Sequence, residues 1–157
     1  MSTCRLIVCE RTSRWATAVR AELAGRTLAI VETRSLAGCQ EALADAPLSL
    51  AAIEVTAANF DAVRQFTMQV SRGFPQAAIL ALLAADAADA DLLLREAGAV
   101  DCAASVLDVP RLVRLARRKL ALAPPCDTTL SEFVADRLPW PTNASSLSPS
   151  SQLTTDH

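Results

Sequence analysis

The side chains able to carry covalent or acid–base chemistry are few, and their scarcity decides a great deal. The chain of 157 residues has one histidine, His157, one lysine, Lys119, and no tyrosine. A histidine general base, a Ser-His-Asp or Cys-His arrangement and a zinc site using imidazole all need an imidazole on an ordered element. Hydrolase and zinc-enzyme chemistry therefore lacks its central residue. The five cysteines, Cys4, Cys9, Cys39, Cys102 and Cys126, contain no C-x-x-C pair, and an odd number cannot all be paired within one chain. Reduced thiols in a cytoplasmic protein are the expectation. Thr12-Ser13-Arg14-Trp15-Ala16-Thr17 follows an apolar run, where a strand-to-helix turn can hold a phosphate on backbone N–H groups. It has no glycine for close approach, so Thr12 or Ser13 is expected to cap a helix, and no cofactor or metal is expected.

These residues must be positioned by short elements. Residues 1–123 alternate apolar runs with amphipathic segments, a pattern that predicts an α/β domain with a parallel sheet. The predicted strands are Cys4–Cys9, Thr27–Glu32, Leu50–Val55, Ala77–Leu83 and Val100–Ser105, each apolar enough to be covered on both faces. A helix follows each: from Thr12 or Ser13 to about Ala24, from Ser35 to near Pro47, from Asn59 to Gly73, and from near Asp86 to Gly98. The fifth has Asp108 as N-cap, Pro110 in its first turn, and Leu112, Val113, Leu115, Ala116 and Leu120 facing inward. Apolar residues make up 52% of the chain, enough for a sizeable core, and aromatics only 4%. The formal charge of −2 gives no general attraction for nucleic acid, so nucleic-acid binding is not expected. No apolar run is long enough to span a bilayer, so no membrane partner is expected.

From Pro124-Pro125 onward the composition changes, with five of the eight prolines and many Ser and Thr residues in 124–157. That segment is expected to be a flexible tail. Within it, 129–138 has capping-box spacing at Thr129 and Glu132, and Leu130, Phe133, Val134 and Leu138 fall on one helical face. It is expected to dock either in a partner's groove or on its own domain.

Three stretches then resemble a known family. Leu6-Ile7-Val8-Cys9-Glu10 is similar to an "ILIVDD" first strand, Phe74-Pro75 with Ile79–Ala84 to an "FP…VI-x-LTA" fourth strand, and Glu96-Ala97-Gly98-Ala99-Val100-Asp101 to an "EAGA-x-DY" junction. In order and spacing they resemble the CheY-like receiver domain of bacterial two-component response regulators. The resemblance implies a doubly wound five-stranded parallel sheet, order 2-1-3-4-5, flanked by five helices. In that family acidic residues hold a divalent cation, an aspartate accepts a phosphoryl group, and a hydroxyl and a lysine neutralise its oxygens. Carried over, the two acidic positions are Cys9 and Glu10, the acceptor is Glu54, the hydroxyl position is Leu83 and the lysine position is Ser105. Asp61 is kept in the segment after the acceptor, and Asn59 stands where the family places a left-handed glycine. Lys119 lies about 14 residues from the place where the lysine is needed.

The expectation is a degenerate, stand-alone receiver domain that acts in signal transduction as a phosphorylation-independent protein-interaction adaptor, not an enzyme. The alternative is a small-molecule or nucleotide sensor using the carboxyl-end crevice of the same sheet. The resemblance also implies that the fourth helix, fifth strand and fifth helix form a partner face, with Leu93, Asp101, Arg111, Arg114 and Arg118 the candidates for an unidentified protein partner or a second copy.

Overall fold

The strands form on four- to six-residue stretches dominated by leucine, isoleucine, valine and alanine, unbroken in the fourth and carrying a single carboxylate, Glu32, Glu54 or Asp101, in the second, third and fifth. The structure, a computed structural model, describes residues 4–23 and 28–121. Strands β1 (Leu6–Cys9), β2 (Ile30–Thr33), β3 (Leu50–Val55), β4 (Ala78–Leu83) and β5 (Ala99–Ala103) alternate with α1 (Arg14–Glu22), α2 (Leu36–Asp45), α3 (Phe60–Gly73), α4 (Asp91–Glu96) and α5 (Val109–Ala121). The sheet is wholly parallel in the order β2-β1-β3-β4-β5. Leu6 lies opposite both Ile30 and Leu50, and Glu54 opposite Leu82. The expected fold class and strand order are those observed.

Alternation along the strands makes two cores. Leu6, Val8, Leu50, Ala52, Leu80 and Leu82 face α1 and α5, packing on Trp15, Val19, Leu112 and Val113. Ile7, Cys9, Ile53, Val55, Ile79 and Leu83 face α2, α3 and α4, packing on Leu43, Phe66, Val70 and Leu94. Helices on both faces explain why the strands read as continuous apolar runs. The tight turn from α4 into β5 is made by Gly98, whose φ of +114° disfavours any side chain. A Cβ there would also collide with the Ser71 hydroxyl on α3.

Several boundaries differ from expectation. The second strand is Ile30–Thr33 instead of Thr27–Glu32, and the fifth is Ala99–Ala103 instead of Val100–Ser105. The fourth helix is not continuous from Asp86: Ala85–Ala90 forms 3₁₀ turns with non-helical backbone at Ala87, and α-helix holds only over Asp91–Glu96. Asp108 is not the N-cap of the fifth helical segment. Ser105 caps a 3₁₀ turn, Val106–Asp108, that runs into α5, and Asp108 reaches back to it, completing a capping box. Pro110 does lie in the first turn of α5. The segment 124–157, including 129–138 with Leu130, Phe133, Val134 and Leu138, lies outside the described residues.

Candidate functional site

In a parallel sheet the crevice beyond the strand carboxyl ends is where side chains from different strands converge. Here a small cleft of about 170 Å³ lies at the ends of β1 and β3, with Cys9, Glu10, Arg11, Arg34, Ser35 and Glu54 among its lining. Glu10 is almost fully buried. Its Oε2 accepts from the Trp15 N–H at 2.9 Å and its Oε1 from the Ala16 N–H at 2.7 Å. Both carboxylate oxygens therefore cap the amino end of α1, where free N–H groups and the helix dipole favour a negative charge. Ser13 occupies the N-cap position, yet its side chain makes no cap hydrogen bond. It donates to Glu32 Oε2 at 3.0 Å and accepts from Arg34 Nη2 at 2.6 Å. The expected Thr12 or Ser13 cap is thus replaced by an acidic residue further back in sequence.

Glu54 accepts the Arg11 N–H on Oε2 at 2.9 Å. Behind it Asn59 closes the β3–α3 loop: its Oδ1 accepts from the Thr56 N–H at 2.7 Å and its Nδ2 donates to the Glu54 carbonyl at 3.0 Å. Asn59 has φ −113°, so this loop turns without the left-handed residue. Arg34 lines the cleft, with its guanidinium engaged by the Glu10 carbonyl, Ser13 and Glu32. Arg20 also pairs with Glu32, and these hydrogen bonds, Arg20 first and then Ser13, hold the Glu32 carboxyl below the usual carboxylate range.

Leu83 is buried in the α2–α4 core. Ser105 accepts the Leu107 N–H at 3.2 Å, while Asp108 Oδ2 takes the Ala104 and Ser105 N–H groups at 3.1 and 3.2 Å. Neither Leu83 nor Ser105 lines the cleft. Lys119 borders a different hollow, beside Leu50, Ala77 and Ala78 at the amino ends of β3 and β4. About 13 Å of strand separates that end from Glu54.

Solved structures share this fold. A response regulator from Thermotoga maritima matches with a TM-score of 0.64 at 16% identity, over 76% of this chain and 98% of that one. An orphan response regulator of H. pylori matches with 0.61 at 16%, over 76% and 98%. The fold is that of a response-regulator receiver domain. A third receiver-fold match, with 0.61 at 16% over 74% and 95%, is an atypical orphan response regulator described with a phosphorylation-independent regulatory mechanism. No sequence-family profile and no curated protein sequence matches the chain.

Receiver chemistry requires a hard divalent cation held by free carboxylate oxygens. The residues of this cleft do not fit one. Cys9 offers a soft thiol, the two oxygens of Glu10 are turned onto helix N–H groups, and Glu54 holds a backbone N–H.

The candidate partner residues fall in three places. Asp101 and Arg111 belong to one polar chain over α4, β5 and α5: Arg95 bonds Asp91 at 2.5 Å and Asp101 at 2.8 Å, Arg111 pairs with Asp101 at 3.6 Å, and Arg111 Nη2 donates to the Cys102 carbonyl at 2.6 Å. Arg114 and Arg118 line a larger groove of about 470 Å³ between α5 and Leu23 and Leu28. Leu93 is exposed and borders a hollow with Phe60, Ala87 and Asp89. Sequence reasoning did not single out Asp91 and Arg95 as a pair, although their i, i+4 spacing is the signal that marks such pairs on a helix. It also passed over Arg34 and Glu32, which no local spacing ties to α1.

Proposed function

We propose that this chain is a receiver-fold adaptor that works through protein contact, without phosphorylation and without catalysis. The observation that carries this reading is Glu10: almost fully buried, it spends each carboxylate oxygen on an N–H at the start of α1, the use of a helix cap and not of an open cation ligand. Glu54, Leu83 and Ser105, in the acceptor, hydroxyl and lysine positions, support it, as does the placement of Lys119 at the far end of the sheet. An atypical orphan response regulator of similar fold is described with a phosphorylation-independent regulatory mechanism, which supports the reading.

The contact surface proposed is the α4–β5–α5 face. Its polar chain from Asp91 to Arg111 is flanked by exposed Leu93 and Val100, and polar groups with isolated apolar anchors suit a protein interface better than a small-molecule site. The partner is another protein or a second copy of the chain. A small-molecule sensor is less well supported, because about 170 Å³ falls below the ~300–1,000 Å³ of typical ligand pockets. No helix among the described residues is long and apolar enough to cross a membrane.

Incubation with acetyl phosphate and magnesium, followed by intact-mass measurement, tests the reading. An unchanged mass is expected; a phosphoryl adduct mapped to Glu54 or a neighbour would overturn it. Charge reversal at Asp101 and Arg111 should abolish co-purification of whatever partner the wild-type chain retains, and partner retention by both variants would remove the face from the proposal.

A further inference from the structure

The groove between the last turns of α5 and the residues that follow α1 has no part in the adaptor reading. Its volume is about 470 Å³, and Leu23, Leu28 and Leu120 supply its apolar wall. Leu23 is buried, whereas Leu28 and Leu120 keep part of their surface open to solvent. Arg114, Arg117 and Arg118 stand along the groove, all three exposed, and among the described residues none of them has an ion-pair partner. An apolar channel edged by three cations suits an acidic amphipathic peptide.

The same chain carries such a peptide. Residues 129–138 lie outside the described residues. At helical spacing Leu130, Phe133, Val134 and Leu138 share one face, and Glu132 and Asp136, four residues apart, run beside it. From Asp127 to Leu138 three acidic side chains stand against Arg137 alone, a charge of −2 that opposes the charge of the groove. α5 ends at Ala121, which itself lines the groove. Residues 122–128 connect it to Thr129 and can span up to about 25 Å, while α5 from Arg114 to Ala121 measures only about 10 Å. The connection is therefore long enough to reach any point of the groove. Pro124 and Pro125 within it oppose a straight continuation of α5. We propose that residues 129–138 fold back into the α1–α5 groove of their own chain, with Leu130 and Phe133 against the three leucines and with Glu132 and Asp136 facing Arg114, Arg117 and Arg118.

The tether favours this occupant over any other. A short connection holds a segment at an effective concentration of about 1 mM, so a segment whose affinity in isolation is only about 0.1 mM stays docked roughly nine-tenths of the time. A second copy or a foreign peptide at micromolar concentration must bind far more tightly to displace it. Exposed ion pairs add little affinity each and chiefly set orientation, so burial of Leu130 and Phe133 supplies most of the attraction. Neither Asp101 nor Arg111 lines this groove, so its occupancy and the α4–β5–α5 contact surface stand or fall separately.

Hydrogen–deuterium exchange of the full chain under native conditions, read by mass spectrometry, tests the docking. Amides of 129–138 should exchange about tenfold more slowly than those of a synthetic peptide spanning 127–140, the ratio set by the docked fraction, and equally so at low and high protein concentration. Leu130→Ser combined with Phe133→Ser should abolish that protection and speed exchange around Leu23 and Leu28. Arg117→Glu combined with Arg118→Glu should bring 129–138 to the rate of the peptide, and adding Glu132→Arg and Asp136→Arg to that chain should restore the protection, a recovery that loss of folding would not give. Amides of β1 and β3 report the fold in every variant; where the arginine variant fails to fold, the serine pair, which leaves 1–123 unchanged, decides alone. Exchange of 129–138 at the peptide's rate in the wild-type chain, protection untouched by the variants, no recovery in the charge-swapped chain, or protection that grows with protein concentration would each overturn the proposal.

Discussion

Replacing Glu10 by alanine separates two accounts of this residue by the sign of the stability change. If Glu10 is a helix cap, its loss strands the Trp15 and Ala16 N–H groups at the buried start of α1. A buried donor without a partner costs about 1–3 kcal/mol, and a lost cap typically about 0.5–2 kcal/mol. Part of this is offset, since the variant no longer desolvates a carboxylate, leaving a net loss of about 2–4 kcal/mol. For a domain of this size that corresponds to a melting temperature lower by roughly 8–20 °C. Glu10→Gln keeps one acceptor oxygen and sets its NH₂ against the second N–H, so it should lose about half as much. If Glu10 were instead a vestigial cation ligand, its removal would relieve like-charge repulsion with Glu54 and raise stability. Urea unfolding followed by circular dichroism, with equal slopes for both proteins, measures the difference. A Glu10→Ala protein as stable as wild type, or more so, would refute the capping account and with it the strongest support for a cleft without a cation.

Three other expectations follow from the same contacts. Because Arg20, Ser13 and Arg34 hold the Glu32 carboxyl low, that residue contributes stability above the ordinary carboxylate pKa and loses it as pH falls through the lower folded value. The melting-temperature gap between wild type and Glu32→Gln should therefore be open at pH 7 and close below roughly pH 4; a gap that widens in acid would contradict the assignment. Gly98→Ala should destabilise by about 1–3 kcal/mol, from positive φ and the Ser71 contact together, read by urea unfolding, and Ser71→Ala in the same chain should recover part of it. Ser105→Ala and Asp108→Ala should each cost about 1 kcal/mol in the same assay. Their double variant should cost less than the sum, since one capping box is lost only once.

The strand framework was legible because burial on both faces leaves a signature in composition. Leu50–Val55 needs no context to be read, since every residue but Glu54 is fully buried. Element ends were harder. Ala85–Ala90 has the alanine content of a helix, and only the packed position of Ala87 in the α2–α4 core, with its non-helical backbone, shows the break. The pocket positions Cys9, Glu10, Glu54, Leu83 and Ser105 were implied by the resemblance alone, and the hydrogen bonds that Glu10 and Ser105 make could not be read from it. Glu10 lies four residues before α1 begins, outside the window of a capping box, so its role depends on how the β1–α1 loop folds back.

The two margins of the sheet differ in how they meet other chains. At one, β2 is four residues long and carries Glu32 bracketed by Arg20 and Arg34, so an incoming strand would have to displace paired charges. At the other, the register slips between Ile79 and Leu80, which throws Val100 out of the ladder beside the charged Asp101. Neither offers a flat, uniformly apolar template, and short, charged or bulged borders are how parallel sheets avoid stacking end-on into fibres. Strand-to-strand joining of two copies would thus have to break ion pairs at one margin and accommodate a bulge at the other.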